Sequence, residues 1–387
     1  MVQSKLPNTT RSIFSAVSSL IEETGALDMA IGRIDFPCPE ELTELAASYI
    51  KAGNNNYAPL EGIFKLRSEI SVRVKEHYGH EFDPKTEVTI TAGTIQAIHT
   101  AISTVVKDDD EVIVFEPAFE SFVPSIILNG GKPVYVQLKT PGFKIDWEEL
   151  RKMISTKTRM IILNSPHNPS GSVLSENDMQ QLQRLTNGTN ITILSDEIFE
   201  SIIFDNQKHQ SIARFPKLIE RSFIISSFGP LYNINGWGIS YCLAPEKLMA
   251  EFRKVQQIQI YNVNTPLQYA LADYLPRNYS FEDVSELYQG KRSYFNRLLE
   301  NSLYTVLPAQ GGYFQLIDYS KISDEPDAVF ADRLARDFGI ATLPISAFYH
   351  EKTKARYIRV CFAKENSKLE QAAERLLQVP SMVLGDL

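Results

Sequence analysis

Apolar positions along this chain follow two periods. Ile63, Leu66, Ile70, Val74 and Tyr78 recur every three or four residues and stop at Gly79, which predicts a helix closed by a glycine. The short run from Val88 to Ile90 predicts a strand that breaks at Thr91-Ala-Gly93, and Ile95, Ile98, Ile102 and Val105 then mark a second helix. Four further runs read as buried strands: Val112 to Phe115, Met160 to Leu163, Ile191 to Leu194 and Phe223 to Ser226. Each leads into a polar or glycine-containing segment, namely Glu116 to Phe119, Asn164 to Gly171, Ser195 to Glu197 and Ser226 to Gly229. Apolar runs alternating with amphipathic ones are the pattern of an α/β protein. Open parallel sheets take ligands beyond the carboxyl ends of their strands, so these segments and Thr91-Ala-Gly93 are expected to meet at one pocket. From about Phe281 onward, helices and short strands predict a second, smaller domain.

Length and composition narrow the function classes. A chain of 387 residues has room for one or two domains of ordinary size. Hydrophobic residues make up 43% and charged residues 22%, as in soluble globular proteins. A formal net charge of -8 gives no electrostatic basis for binding nucleic acid. No apolar run approaches the roughly 18 residues that would suggest a membrane span. The polar stretch from Met1 to Phe14 lacks the apolar core of a secretion signal. Cys38, Cys242 and Cys361 are sparse, odd in number and without metal-ligand spacing, so a cytoplasmic location and no metal are expected. Without a signal, the formal glycan acceptors at Asn187 and Asn190 carry no weight.

Singly, the strand-end segments stay ambiguous. Gly93 before a helix is either a tight turn or the start of a phosphate-binding helix terminus. Asn168-Pro-Ser-Gly171 is equally an ordinary turn, Asp196 a helix N-cap and Arg359 a surface ion-pair partner. Their order is more specific. Asn56-Tyr-Ala-Pro59, Thr91-Ala-Gly93, Asn164-Ser-Pro-His-Asn-Pro-Ser-Gly171, Ser195-Asp-Glu197 and Ser226-Ser-Phe-Gly229 come first. Asn235-Gly-Trp237, Tyr241-Cys-Leu-Ala-Pro245, Asn264-Thr-Pro266 and Ile358-Arg-Val-Cys-Phe-Ala-Lys364 follow. Together, and along nearly the whole chain, they resemble the pyridoxal-phosphate (PLP) dependent aminotransferases of class I, fold type I, in the methionine and kynurenine aminotransferase branch.

The resemblance implies a mixed, mostly parallel sheet flanked by helices, with a smaller α+β domain. It implies an N-terminal segment (1–45) packing with the small domain, a large cofactor-type domain (46–280) and a small C-terminal domain (281–387). It implies a homodimer in which Tyr57 reaches the neighbouring subunit's site. Asp196 would pair with a protonated ring nitrogen and Asn168 would donate to the ring hydroxyl oxygen. Phe119 would stack on the ring, and amides following Gly93, at Thr94 and Ile95, would hold the phosphate together with Ser227. Arg359 would clamp a substrate carboxylate, with Gly32 and Arg33 alongside. A small carboxylate-bearing molecule is thus the expected ligand, and PLP or its amine form, pyridoxamine phosphate (PMP), the implied cofactor.

The resemblance fails at a decisive place. Family members carry a lysine after Ser-Phe-Gly, and this chain has Pro230. A covalent bond to PLP at that residue is chemically impossible, and the usual proton carrier is missing with it. Gly238 stands for a basic residue that pairs with the phosphate, Phe199 for a tyrosine and Ile95 for a threonine. Lys51, Lys254 and Lys364 lie in segments that do not suggest the pocket. Asp196 and His167 remain as candidate acids or bases. Three readings follow: a repurposed, PLP-independent enzyme acting on a carboxylate, an atypical transaminase, or a non-catalytic binding protein.

Overall fold

The computed structural model describes residues 3–382 other than 8, 10, 279 and 352. After the helix Ile13–Thr24 comes a short strand, β1 (Leu27–Asp28). A seven-stranded sheet is built from β2 (Val88–Ala92), β3 (Glu111–Glu116), β4 (Lys132–Gln137), β5 (Thr158–Asn164), β6 (Thr192–Asp196), β7 (Ser222–Ser227) and β8 (Ile239–Leu243). Its order is β2-β8-β7-β6-β5-β3-β4, with β8 antiparallel to both neighbours and the other pairings parallel. The chain continues through β9 (Thr305–Val306), β10 (Phe314–Asp318), β11 (Ile340–Ala341), β12 (Leu343–Pro344) and β13 (Tyr357–Cys361). Four of these form a smaller antiparallel sheet ordered β12-β13-β10-β9, while β11 pairs with β1 in parallel.

The apolar runs are continuous because both faces of the large sheet are covered. Ile113, Ile161, Leu163, Ile193 and Ile224 point into one buried cluster. Val112, Val114, Met160, Ile162, Leu194, Phe223 and Ile225 point into another. Successive strand residues face opposite sides, so an unbroken apolar run fills both. A third cluster, containing Met29, Tyr288, Phe295, Phe330 and Phe362, forms the core of the smaller sheet.

The helix predicted from Ile63 to Tyr78 is Phe64–Tyr78, closed by Gly79 at φ 83°, a left-handed turn that suits glycine. The second is Gly93–Val105, but Ile95 at its start is 55% exposed and lies off the core-facing stripe of Ile98, Ile102 and Val105. Among the described residues no helix is long and apolar enough to cross a membrane.

Candidate active site

The parallel strands bring the expected segments to one edge of the sheet. Asn164, last in β5, is in register with Asp196, last in β6, and Asp196 with Ile225 of β7. Asn164 then locks the loop that follows it. Its amide nitrogen donates to the Asp196 carbonyl at 3.1 Å, and its amide oxygen accepts the Asn168 backbone N–H at 2.8 Å.

Asp196 is 3% exposed, and the hydrogen bond its carboxylate receives comes from the Ile198 N–H at 3.3 Å. No cation pairs with it among the described residues. Burial pushes its pKa up to about 7; the Ile198 hydrogen bond opposes this and the Glu197 charge adds to it. The carboxyl is therefore a strong acceptor for any N–H placed before it.

Arg359 comes from β13 of the smaller sheet and is wholly buried. One terminal nitrogen donates to Asn168 Oδ1 and the other to the Ala30 carbonyl, both at 2.7 Å. Its Nε has no hydrogen-bond partner, and no carboxylate lies within ion-pair distance among the described residues. Phe314 lies under the guanidinium at 3.7 Å, with Phe348 at 5.4 Å and Phe14 at 5.5 Å. Burial lowers its pKa to about 10, which leaves it cationic at neutral pH. A buried guanidinium with a spare donor and no counter-charge is a site for an anion. Because a guanidinium only donates, Asn168 must turn its oxygen to Arg359, which leaves its NH2 for another acceptor.

A second group of residues sits beside β7 and β8. Ser227 Oγ caps the short helix Phe228–Tyr232 by accepting the Gly229 N–H at 3.1 Å, and Ser240 Oγ lies 3.0 Å from it. Pro230 is buried in the first turn of that helix, where a missing N–H breaks no helical bond. Gly93, at φ 77°, opens the helix Gly93–Val105, and a Cβ built on it would lie 3.9 Å from the Gly238 backbone. Thr94 follows Gly93 in the first turn of that helix. Gly238 has φ 62° with open space at its Cβ position, so backbone strain rather than crowding opposes a side chain there.

Other expected residues are placed differently. His167 is buried with Nδ1 at 2.7 Å from Ser170 Oγ and Nε2 at 2.9 Å from the Pro117 carbonyl. Burial lowers its pKa to about 4. Both nitrogens are occupied, so His167 is a neutral pin between two loops and not a free acid or base. Arg33 does not join Arg359: its side chain is 62% exposed and lies 3.7 Å from Asp28. Gly32 packs against Tyr313 and Phe314, where a Cβ would approach to 3.1 Å. Phe199 is buried edge-on against Tyr313, with ring centroids 4.9 Å apart. Phe119 meets Phe14, 6.2 Å away.

Tyr57 is 72% exposed and packs on Tyr261. Lys254 is exposed and bound to Glu251, and Lys51 ends an exposed helix turn. Lys364 is buried, but its Nζ donates to the Arg33 carbonyl at 2.8 Å and lies 3.5 Å from Asp35. Phe14, Phe348 and the Ala30 carbonyl around Arg359 were not legible in the sequence, because distant packing alone brings them there.

Nearly the whole chain matches one family. The sequence profile described as Aminotransferase class I and II covers residues 24–376. This chain belongs to that family. The methionine aminotransferase of Escherichia coli (strain K12) is 40% identical over 380 residues, spanning 97% of this chain and 98% of its own. The kynurenine–oxoglutarate transaminase of Dictyostelium discoideum is 30% identical, spanning 95% of this chain and 94% of its own. The crystal structure of YbdL from Escherichia coli, identified with a methionine aminotransferase function, superposes with a TM-score of 0.94 at 39% identity, over 98% of this chain and 99% of that one. The fold is that of the fold-type I aminotransferases.

The family's pyridoxal-type cofactor can be tested against these residues. Bound, it would supply an electron-withdrawing ring next to the substrate carbon. Asp196 suits its ring N–H, and the free NH2 of Asn168 suits its hydroxyl oxygen. Pro230 offers no amine for covalent attachment, and the buried amine of Lys364 is committed to the Arg33 carbonyl and Asp35.

Proposed function

We propose that this chain binds an amino acid or 2-oxo acid of the kind its methionine and kynurenine aminotransferase relatives are named for. In this reading the substrate lies beside a PLP-type cofactor held without a covalent bond. The observation that carries the proposal is Arg359, a fully buried cation with an unused Nε–H and no carboxylate partner among the described residues. Arg359 grips the substrate carboxylate, and Asn168, held by it, orients its NH2 toward the ring oxygen. Asp196 keeps a proton at the ring nitrogen. Phe14 and Phe348 exclude water from the guanidinium. Pro230 stands at the family's lysine position, so no side chain there carries the proton from the substrate carbon, and transamination is slow. PMP, which needs no lysine to stay bound, is the preferred form.

A second reading, a PLP-independent enzyme on a carboxylate substrate or a non-catalytic binder, is favoured by Gly238. Without a basic side chain there, the phosphate forgoes a charge-assisted hydrogen bond worth ~1.5–3 kcal/mol. Absorbance titration with PLP and PMP, followed by addition of 4-methylthio-2-oxobutanoate, separates the two. Saturable PMP binding and formation of methionine support the first. No saturable absorbance from either compound supports the second.

We also propose a cytoplasmic homodimer. Tyr57, Tyr261 and Ile258 are 72%, 70% and 84% exposed, an apolar surface suited to a second copy. Sedimentation at micromolar concentration is expected to give a dimer for the native chain and a weaker one for Tyr57→Glu. The division at 45 and 280 is likewise a proposal, supported by the β1–β11 pairing that ties the N-terminal segment to the C-terminal part.

A further inference from the structure

Another cleft has no Arg359 in its lining. It has a volume of about 660 Å³, within the range of small-molecule sites. One wall is the helix Phe281–Leu298, which lines the cleft with Glu282, Ser285, Glu286 and Gln289. These positions recur at helical spacing and share one face. Lys208, His209 and Arg214 line it from a separate segment of the chain. The two segments are tied together: Gln289 accepts the Asp205 N–H at 2.6 Å, and Arg292 grips Asp205 through both terminal nitrogens at 2.8 and 2.7 Å.

Two features of this cleft have no role in the Arg359 pocket. First, Glu282, Glu286, Lys208 and Arg214 all line it, and none of the four takes part in an ion pair among the described residues, though Arg214 donates to the His209 carbonyl at 3.4 Å. The helix lines the cleft with carboxylates, and the segment around His209 lines it with cations. Second, His209 is 7% exposed and its Nδ1 has no hydrogen-bond partner among the described residues. Its Nε2 lies 2.9 Å from Glu197 Oε2, and the other Glu197 oxygen accepts Ser195 Oγ and the Ile212 N–H. With its proton on Nε2, directed to Glu197, the ring presents the Nδ1 lone pair as an acceptor. A buried, fixed acceptor without a donor is unfavourable unless something supplies one.

We propose that this cleft binds a zwitterionic small molecule of the amino-acid or short-peptide class. The ligand's ammonium group lies toward Glu282 and Glu286 and its carboxylate toward Lys208 and Arg214. An N–H of the ligand donates to His209 Nδ1. Glu197 links His209 to the strand that ends in Asp196, so occupancy is felt at the candidate active site through one hydrogen-bonded histidine.

Glycylglycine is a suitable probe, with acetate and ethylamine as single-charge controls. In the full chain labelled with ¹⁵N-histidine, the His209 Nδ1 resonance is identified by its loss in His209→Gln. It is expected to shift saturably with glycylglycine and not with either control. Calorimetry on the Lys208→Ala/Glu286→Ala double variant, which alters exposed positions only, needs no histidine substitution. It is expected to show about tenfold weaker glycylglycine binding, or ~1.4 kcal/mol. An unmoved His209 resonance, an equal shift with acetate, or unchanged affinity in the double variant would each overturn the proposal.

Discussion

Asp196→Asn isolates the buried carboxyl at the end of β6. The amide has the same shape and keeps an oxygen for the Ile198 N–H. In the folded chain burial lifts the carboxyl from 3.8 to about 7. Between those values the folded state holds a proton that the unfolded chain has released. Wild-type stability from this group is therefore intact below the unfolded pKa and falls as pH rises through the folded one. At about 1.4 kcal/mol per pH unit, the loss reaches roughly 4 kcal/mol by about pH 8. Asparagine does not titrate, and other groups cancel in the comparison. Without cofactor, the variant should gain on the wild type steadily from about pH 4 to about pH 7 and level off above. Urea unfolding followed by tryptophan fluorescence across that range measures the difference. Adding PMP should reverse its sign near neutral pH, because a ring N–H compensates the carboxylate and not the amide. A stability difference independent of pH would refute the uncompensated carboxyl.

Other substitutions test the remaining parts of the pocket. Arg359→Lys keeps the cation and loses the fork, so 2-oxo acid affinity should fall by about ten- to a hundredfold, with no change for the corresponding amide; calorimetry with both compounds checks this. Pro230→Lys/Gly238→Lys should acquire a stable PLP absorbance, at a stability loss of about 1–2 kcal/mol from the left-handed backbone at 238. No gain in cofactor binding would show that these positions do not surround the cofactor pocket. His167→Phe should destabilise by ~1–3 kcal/mol by leaving the buried Pro117 carbonyl without its donor, while the pH profile of ligand binding stays put.

Much of the sheet was legible because its strands are buried on both faces, and unbroken runs such as Met160 to Leu163 need no partner to be recognised. The edge strand β4 was less so: Lys132, Pro133 and Gln137 at its ends leave only Val134 to Val136 as an apolar run. The antiparallel β8 gave no signal of its direction, which is set by pairing with β2 and β7. Asp196, Asn168 and Arg359 could be singled out by residue type and order. Their surroundings could not: Phe14 and Ala30 reach Arg359 only because β1 pairs with a strand more than 300 residues later. The same limit explains Arg33, which shares a segment with Ala30 but turns to solvent, and His167, whose polar partners come from two separate loops.

The most direct test asks how the cofactor is held. The full chain would be incubated with PLP, reduced with borohydride, digested and mapped, in parallel with equilibrium dialysis against PMP. The expected result is reversible PMP binding that Asp196→Asn weakens, with no lysine peptide labelled stoichiometrically. One stoichiometric cofactor-bearing lysine, at Lys364 or elsewhere, would contradict non-covalent binding and mark a working transaminase with a displaced anchor.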